Sequence, residues 1–289
     1  SDEDSLTLKV MHWNILADKL AHGSFDKVPV DYLKWSYRFH LIKQHIIALN
    51  PDVIGLSEVD VLPLYREIAD FMNNRGYSDY FVEKPNGISG SAIFYRKDKF
   101  SCLAQNSVIY DKEASQFFMY CKLVRKTPSS TQVGSSKKME FIFGETHLKA
   151  KEQFVKERVQ QTQKIKEFFD TNHKDLPVIM GGDFNEIPAN EPIAEVMESS
   201  FVDLYTLIGT GDKYPAFTTY KYREESGFVK RTIDYMFVAK NEWLEKNKID
   251  VLAYITPENV PLDTDIGNPC VNHPSDHYSL AYEVKLNYN

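Results

Sequence analysis

The apolar pattern along the chain switches repeatedly between a period of two and a period of three to four. Leu8 to Leu16 (LKVMHWNIL) reads as a strand. Residues 36–49 set Phe39, Ile42, Ile46 and Leu49 on one helical face, and Pro51 follows the helix end. Asp52 to Glu58 predicts a short buried strand. Residues 63–75 predict a helix with Leu64, Ile68, Phe71 and Met72 inward. Strands follow at Ser91–Tyr95, Phe117–Val124 and Met139–His147. Residues 152–170 form a long amphipathic pattern. Pro177–Met180 is a buried strand running into Gly181-Gly182, and later strands fall at Thr232–Val238 and His277–Val284. Such alternation predicts a layered α/β fold. The polar stretch Lys126 to Lys138 lies between two strands and reads as a hairpin loop. No Pro/Ser-rich linker divides the 289 residues, so residues 1–289 are expected to form a single domain.

Composition narrows the function classes. The chain is 43% hydrophobic, with 3 Trp, 17 Tyr and 18 Phe, which supports a large core and excludes a disordered chain. No run of 18 apolar residues exists, so no membrane partner is expected. Cys102, Cys121 and Cys270 cannot all pair and lack C-x-x-C spacing. That argues against a disulfide scaffold or a cysteine zinc site and suits a reducing, intracellular, cytoplasmic compartment. Ser1 need not be a natural start, so a mitochondrial address stays open. The formal charge of −7 argues against a long nucleic-acid track but leaves room for a locally basic pocket.

Candidate chemistry collects at strand ends, where layered α/β sheets bind ligands. Asn14 ends the first strand and Glu58 the second. His147 ends the Met139 strand. Asp183 and Asn185 follow the Pro177 strand, Asp234 lies in TIDYMF, and Asp276 and His277 lie in PSDHYSL. Each alone is ordinarily a turn former, a cap or a satisfied core residue. Together they offer carboxylates and amides, hard oxygen donors that suit Mg²⁺, or Mn²⁺ as the alternative ion, rather than zinc. Two histidines add donors for phosphoryl oxygens, and an Asp can activate water. These are the parts of metal-assisted phosphoester hydrolysis.

The motifs WNILAD (13–18), SEVD (57–60), THLKAK (146–151), GDFNEIP (182–188), TIDYMF (232–237) and PSDHYSL (274–280) stand in the order seen in the endonuclease/exonuclease/phosphatase superfamily. The chain resembles that superfamily from about residue 8 to 285. In finer detail (VMHWNILAD, NPDVIGLSEVD, YPAFTTYKYR) it is similar to the nocturnin branch, close to the Ccr/Not-type deadenylases. The resemblance implies a four-layer α/β sandwich, two central mixed β-sheets flanked by helices. It implies Glu58 as principal metal ligand with Asn14 and Asp276 as further metal contacts. It gives Asp183 the nucleophilic water, Asn185 a holding role, His277 the phosphate with Asp234 as its carboxylate partner, and His147 a second phosphate oxygen. One departure is clear: Ser57 stands where the family usually has Gln.

In nocturnin-like proteins, basic residues recognise the 2′-phosphate of NADP(H), whose removal gives NAD(H). Lys84 and Lys149 match that pattern, Lys151 and Lys230 stand where Arg is usual, and Arg231 adjoins. Lys keeps the charge but loses the bidentate geometry. The alternative substrate is the 3′ end of RNA, hydrolysed by a deadenylase, which wants an aromatic to stack the terminal adenine. Tyr220, Tyr222 and Phe228 are the candidates, with ordinary packing the expectation for them. A non-catalytic scaffold is disfavoured because all eight site residues are present. A monomer is expected.

Overall fold

The computed structural model describes residues 4–111, 116–127, 137–255 and 260–289. In chain order the elements are β1 (Ser5–Asn14), α1 (Asp18–Ala21), α2 (Val30–Leu33), α3 (Trp35–Leu49), β2 (Val53–Asp60), α4 (Leu64–Asn74), β3 (Tyr77–Glu83), β4 (Ser89–Arg96), β5 (Phe100–Ile109), β6 (Phe117–Arg125) and β7 (Glu140–His147). There follow α5 (Val155–Asn172), β8 (Val178–Asp183), α6 (Glu191–Ser200), β9 (Phe201–Asp203), β10 (Thr219–Arg223), β11 (Gly227–Arg231), β12 (Asp234–Ala239), α7 (Glu242–Lys246), β13 (Lys248–Ile255) and β14 (Leu280–Asn287). One mixed sheet has the order β13-β14-β1-β2-β4-β3 and the other β5-β6-β7-β8-β12-β9, with β10-β11 a separate hairpin. Each central pair, β1 with β2 and β7 with β8, runs parallel.

Side-chain alternation builds the layers. Leu8 and Val10 of β1 meet Phe141 and Phe143 of β7, Ile179 of β8 and Met236 of β12 in a core between the sheets. The opposite face of β1, Met11 and Trp13, packs on Phe39, Ile42 and Ile46 of α3 and Ile68 of α4. On the far side, Ile142, Met180 and Phe237 pack on Ile165 and Phe169 of α5 and Ile193 of α6. The order is therefore helices, sheet, sheet, helices: the expected four-layer sandwich.

Several boundaries differ from the sequence reading. The run beginning at His277 enters the sheet only at Leu280. His277 instead bridges Thr219, and the Tyr278 N–H donates to the Thr218 carbonyl, so this apolar stretch serves the site before it serves the sheet. The predicted helix 152–170 opens as a tight turn over Glu152–Phe154 before α5 begins. Strands β5 and β13 were not evident in the pattern, since each is an edge strand with a mixed or exposed sequence. In the expected hairpin loop, residues 128–136 lie outside the described residues, while β6 and β7 pair antiparallel on either side.

Candidate active site

The inward positions of five strands turn from apolar to polar at one end of the sandwich. On β1 the series Leu8, Val10 continues as His12 and Asn14. On β7, Phe141 and Phe143 continue as Glu145 and His147. Ile179 on β8 gives way to Gly181 and Asp183, and Asp234 opens β12. β2 supplies Glu58 at an irregularity in its pairing with β4, between Leu56 and Val59.

Backbone strain concentrates here. Glu58 and Asn185 both have φ of 51°, Leu16 has 60° and Lys151 has 80°. Non-glycine residues rarely occupy this region, and such conformations cost about 1–3 kcal/mol each unless the surroundings enforce them. The enforcement is visible. Arg38, wholly buried on α3, donates to the carbonyls of Ile15, Leu16 and Pro274, gripping the loops that follow Asn14 and precede Asp276. Ser275 Oγ donates to the Asn14 carbonyl at 2.6 Å. Arg158 on α5 donates to Glu186 at 2.6 Å and to the carbonyls of Lys149 and Lys151, tying the loop after β7 to the loop after β8. None of these buried arginines is a sequence candidate, because a lone Arg in a helix carries no motif.

At the centre, one oxygen each of Glu58 and Asp183 and a ring nitrogen of His277 lie within 4.8 Å of one another. Asn14 presents its NH₂ to Glu58 and, at 3.0 Å, to Asp183 Oδ2. Its oxygen accepts the Leu16 N–H at 3.1 Å, which fixes the amide in that sense. The Asn185 backbone N–H donates to Asp183 Oδ1 at 3.0 Å, while its side-chain NH₂ is held by the Leu148 carbonyl. His147 Nε2 stands 3.4 Å and His277 Nε2 3.6 Å from Asp183 Oδ2. His277 Nδ1 is 2.7 Å from Asp234 Oδ2, which also accepts from Thr218 Oγ1 at 2.8 Å.

Protonation follows from these contacts. Burial alone would lower His277, but Asp234, Asp183 and Asp276 outweigh it and raise its pKa to about 10. Burial also raises Asp183, to about 6, against the pull of His277. His147 is pushed well below the usual range by burial and by Lys84 beside it. Lys84 Nζ is 3.3 Å from His147 Nδ1, so Nδ1 accepts and Nε2 carries the proton toward Asp183. Asp276 resists burial and is held below the usual carboxylate range, chiefly by Lys221 at 2.7 Å; its Oδ1 is buried without a hydrogen-bond partner.

The expected basic residues divide into groups. Lys84 lies beside His147 at 3.3 Å, and the Lys149 ammonium, near enough to act on Lys84, lies over the Phe154 ring at 4.8 Å. Lys151 and Arg231 line a cavity of about 460 Å³ on the Asn185 side, together with Lys221 and Arg158. Lys230 goes elsewhere: its ammonium lies over the Phe217 ring at 4.8 Å. Alternation in the β10–β11 hairpin explains the split, because Thr219, Lys221, Val229 and Arg231 share the cavity face while Tyr220, Tyr222, Phe228 and Lys230 share the other. Ser57, where the family usually has Gln, is fully buried with a hydroxyl that has no partner.

A family model for the endonuclease/exonuclease/phosphatase family matches residues 11–277. The chain belongs to that family. Nocturnin from Xenopus laevis is 29% identical over 99% of this chain and 74% of its own length. Nocturnin from Homo sapiens is 29% identical over 96% of this chain and 65% of its own length, so the chain spans about two thirds of these relatives. The human nocturnin catalytic domain with bound sulfate superposes with a TM-score of 0.69 at 25% identity, covering 98% of this chain and 97% of that one. A 2′,3′-cyclic phosphatase, ANGEL2, shares the fold at a TM-score of 0.78 and 20% identity, covering 98% and 96%. Family membership and the acidic/histidine cluster make this chain a hydrolase of phosphoester bonds.

The donor set of this family member fits a hard divalent cation. Two carboxylates converge, and a partnerless buried carboxylate oxygen of Asp276 adds to the local negative charge. A His277 protonated at Nε2 has no lone pair to give, which leaves the oxygens as ligands. Replacing Glu58 with Gln is therefore expected to weaken Mn²⁺ binding at least tenfold in calorimetry, with the melting temperature of the metal-free protein little changed. Equal affinity in the two proteins would remove Glu58 from the ligand set.

Proposed function

We propose that the chain is a Mg²⁺-dependent phosphatase of small phosphorylated nucleotides, with the 2′-phosphate of NADP(H) as the group removed to give NAD(H). The observation that carries the reading is Lys84 beside His147, together with a polar cavity next to Asn185 in which Lys151, Arg158, Lys221 and Arg231 stand with Glu152 and Glu186. Such a site suits a compact substrate with several phosphates. Among the described residues its walls bring no aromatic side chain for a terminal adenine, since Tyr220, Tyr222 and Phe228 lie on the reverse face of the hairpin. Tyr220 is 5% exposed and donates to the Asp263 carbonyl, so it is packing. Relatives named nocturnin support the same reading.

In this mechanism Glu58 and Asp183 would hold the cation, which would supply neutralisation of phosphoryl charge and polarisation of the phosphorus. Asp276 adds negative charge at its rim. Asn14 keeps both carboxylates in place through its NH₂. Asp183 orients the attacking water and takes its proton on Oδ2, and a pKa near 6 leaves it ionised at neutral pH. The Asn185 N–H fixes the other Asp183 oxygen. Nε2–H of His277 and Nε2–H of His147 donate to phosphoryl oxygens as negative charge grows on them, and Asp234 keeps His277 cationic. Lys84, Lys149, Lys151 and Arg231 hold the remaining phosphates. Lys230 has at most a long-range part, given its place over Phe217.

The test is direct. The protein is incubated with NADP⁺, NADPH or a short poly(A) RNA, each with Mg²⁺ and with chelator. Mg²⁺-dependent phosphate release from NADP(H) alone is expected. Shortened RNA with AMP release would replace this reading with the deadenylase one. Lys149→Ala should raise KM for NADP(H) far more than for a generic phosphodiester; equal effects would remove Lys149 from the pocket.

A further inference from the structure

We propose that His12 and Glu145 form a buried positioning pair that fixes Asp234 and, through it, the ring of His277. His12 stands where the inward series Leu8, Val10 leaves the apolar core, and Glu145 does the same after Phe141 and Phe143. Both side chains are wholly buried. His12 Nδ1 is 2.7 Å from Glu145 Oε1, and His12 Nε2 is 2.9 Å from Asp234 Oδ1. Asp234 uses its other oxygen for His277 Nδ1 and Thr218. The carboxylate is thus held at both oxygens, and a hydrogen-bonded chain runs Glu145–His12–Asp234–His277.

The two sheets are hollowed out to admit this pair. A Cβ on Gly55 would lie 2.2 Å from Glu145 Oε2, and a Cβ on Gly181 would lie 2.8 Å from His12 Cβ. Glu145 Oε2 itself has no hydrogen-bond partner. Two glycines and a partnerless oxygen are a poor way to stabilise an inter-sheet core. A buried ion pair of this kind generally adds little stability over well-packed apolar residues. What the pair does supply is direction. Without His12, Asp234 Oδ1 would be free to rotate off the plane in which Oδ2 meets His277. The ring would then lose the hydrogen bond that fixes its tautomer and aims Nε2 at the reacting centre. This role rests on phosphoester hydrolysis as such and not on the identity of the nucleotide.

Two substitutions separate positioning from packing. The Gln amide nitrogen reaches the place of Nε2 and can still donate to Asp234. The Asn amide nitrogen takes the place of Nδ1 and reaches only Glu145. His12→Asn is expected to lower kcat roughly 10–100-fold with KM little changed, as loss of an outer hydrogen-bond partner typically does. His12→Gln should retain the larger part of kcat. Both are assayed on p-nitrophenyl phosphate and bis(p-nitrophenyl) phosphate beside the parent protein. A second readout needs no turnover: in histidine-¹⁵N-labelled protein, the downfield Nδ1–H signal of His277 should persist in His12→Gln and shift or vanish in His12→Asn. The same behaviour of both variants in the NMR measurement overturns the proposal whatever the kinetics. A parent protein inactive on every phosphoester, with the two variants differing by NMR as expected, would instead count against the hydrolase assignment while leaving the positioning pair intact.

Discussion

Asp183→Asn should lower kcat by roughly 10²–10⁴-fold, the usual contribution of a positioned general base. The carboxylate sits where Asn14, Asn185, His147 and His277 converge. It accepts from Asn14 at 3.0 Å and from the Asn185 N–H at 3.0 Å, and both His147 Nε2 and His277 Nε2 face its Oδ2. An amide of the same shape cannot take a proton from water, and it sets one NH₂ against donors that need an acceptor. The fold should survive, since β8 on either side is held by its neighbours β7 and β12. Circular dichroism and a melting curve would check that, and steady-state kinetics would give the loss. Turnover within a few fold of the parent protein would take the water-activating role from Asp183.

The second large effect concerns pH. With Nδ1–H given to Asp234, His277 donates from Nε2 only as an imidazolium, and its pKa is raised to about 10 by Asp234 and its neighbours acting against burial. A group with a raised pKa is functional below that value, so activity should fall as pH rises through about 10. Asp234→Asn removes the carboxylate that contributes most to the rise. The basic limb of the kcat profile should therefore move down toward the ordinary histidine range near 6.5, and kcat on the plateau should fall as well. The acid limb, which belongs to Asp183 with its pKa of about 6, should stay within a unit of its place. A basic limb that does not move in Asp234→Asn would mean that another group sets it. Both proteins are compared at the same saturating Mg²⁺, where a bound cation sets each limb below its metal-free value, so the readout is the shift of the basic limb between the two proteins.

Much of the site is written at strand ends in the sequence. Glu58, His147 and Asp183 were legible because each follows a buried apolar run, and Asp234 because it opens one, where inward alternation must meet solvent or ligand. Asp276 and His277 were legible from the PSDH stretch, although their strand begins later than its apolar pattern suggests. His12 and Glu145 were not, since a polar residue inside an apolar strand reads as an imperfection until the facing strand is known. Arg38 and Arg158 were invisible for a related reason. Their partners are carbonyls of loops distant in sequence, and carbonyls have no residue signature. Lys221 lies in a hairpin whose separate pairing the pattern did not resolve, so its ion pair with Asp276 could not be foreseen.

By itself the sequence determined a layered α/β fold and most of the chemical groups of the site, because both follow from periodicity and residue type; the four-layer order followed from the family resemblance. Only the tertiary structure decided how those groups face one another. It placed Lys230 on the far face of its hairpin and Arg231 on the near one, a difference of a single residue in an alternating strand. It joined His12 on β1, Glu145 on β7 and Asp234 on β12 into one chain across two sheets. Contacts between sheets depend on register and twist, and those are set by the whole packed core rather than by any local run of residues.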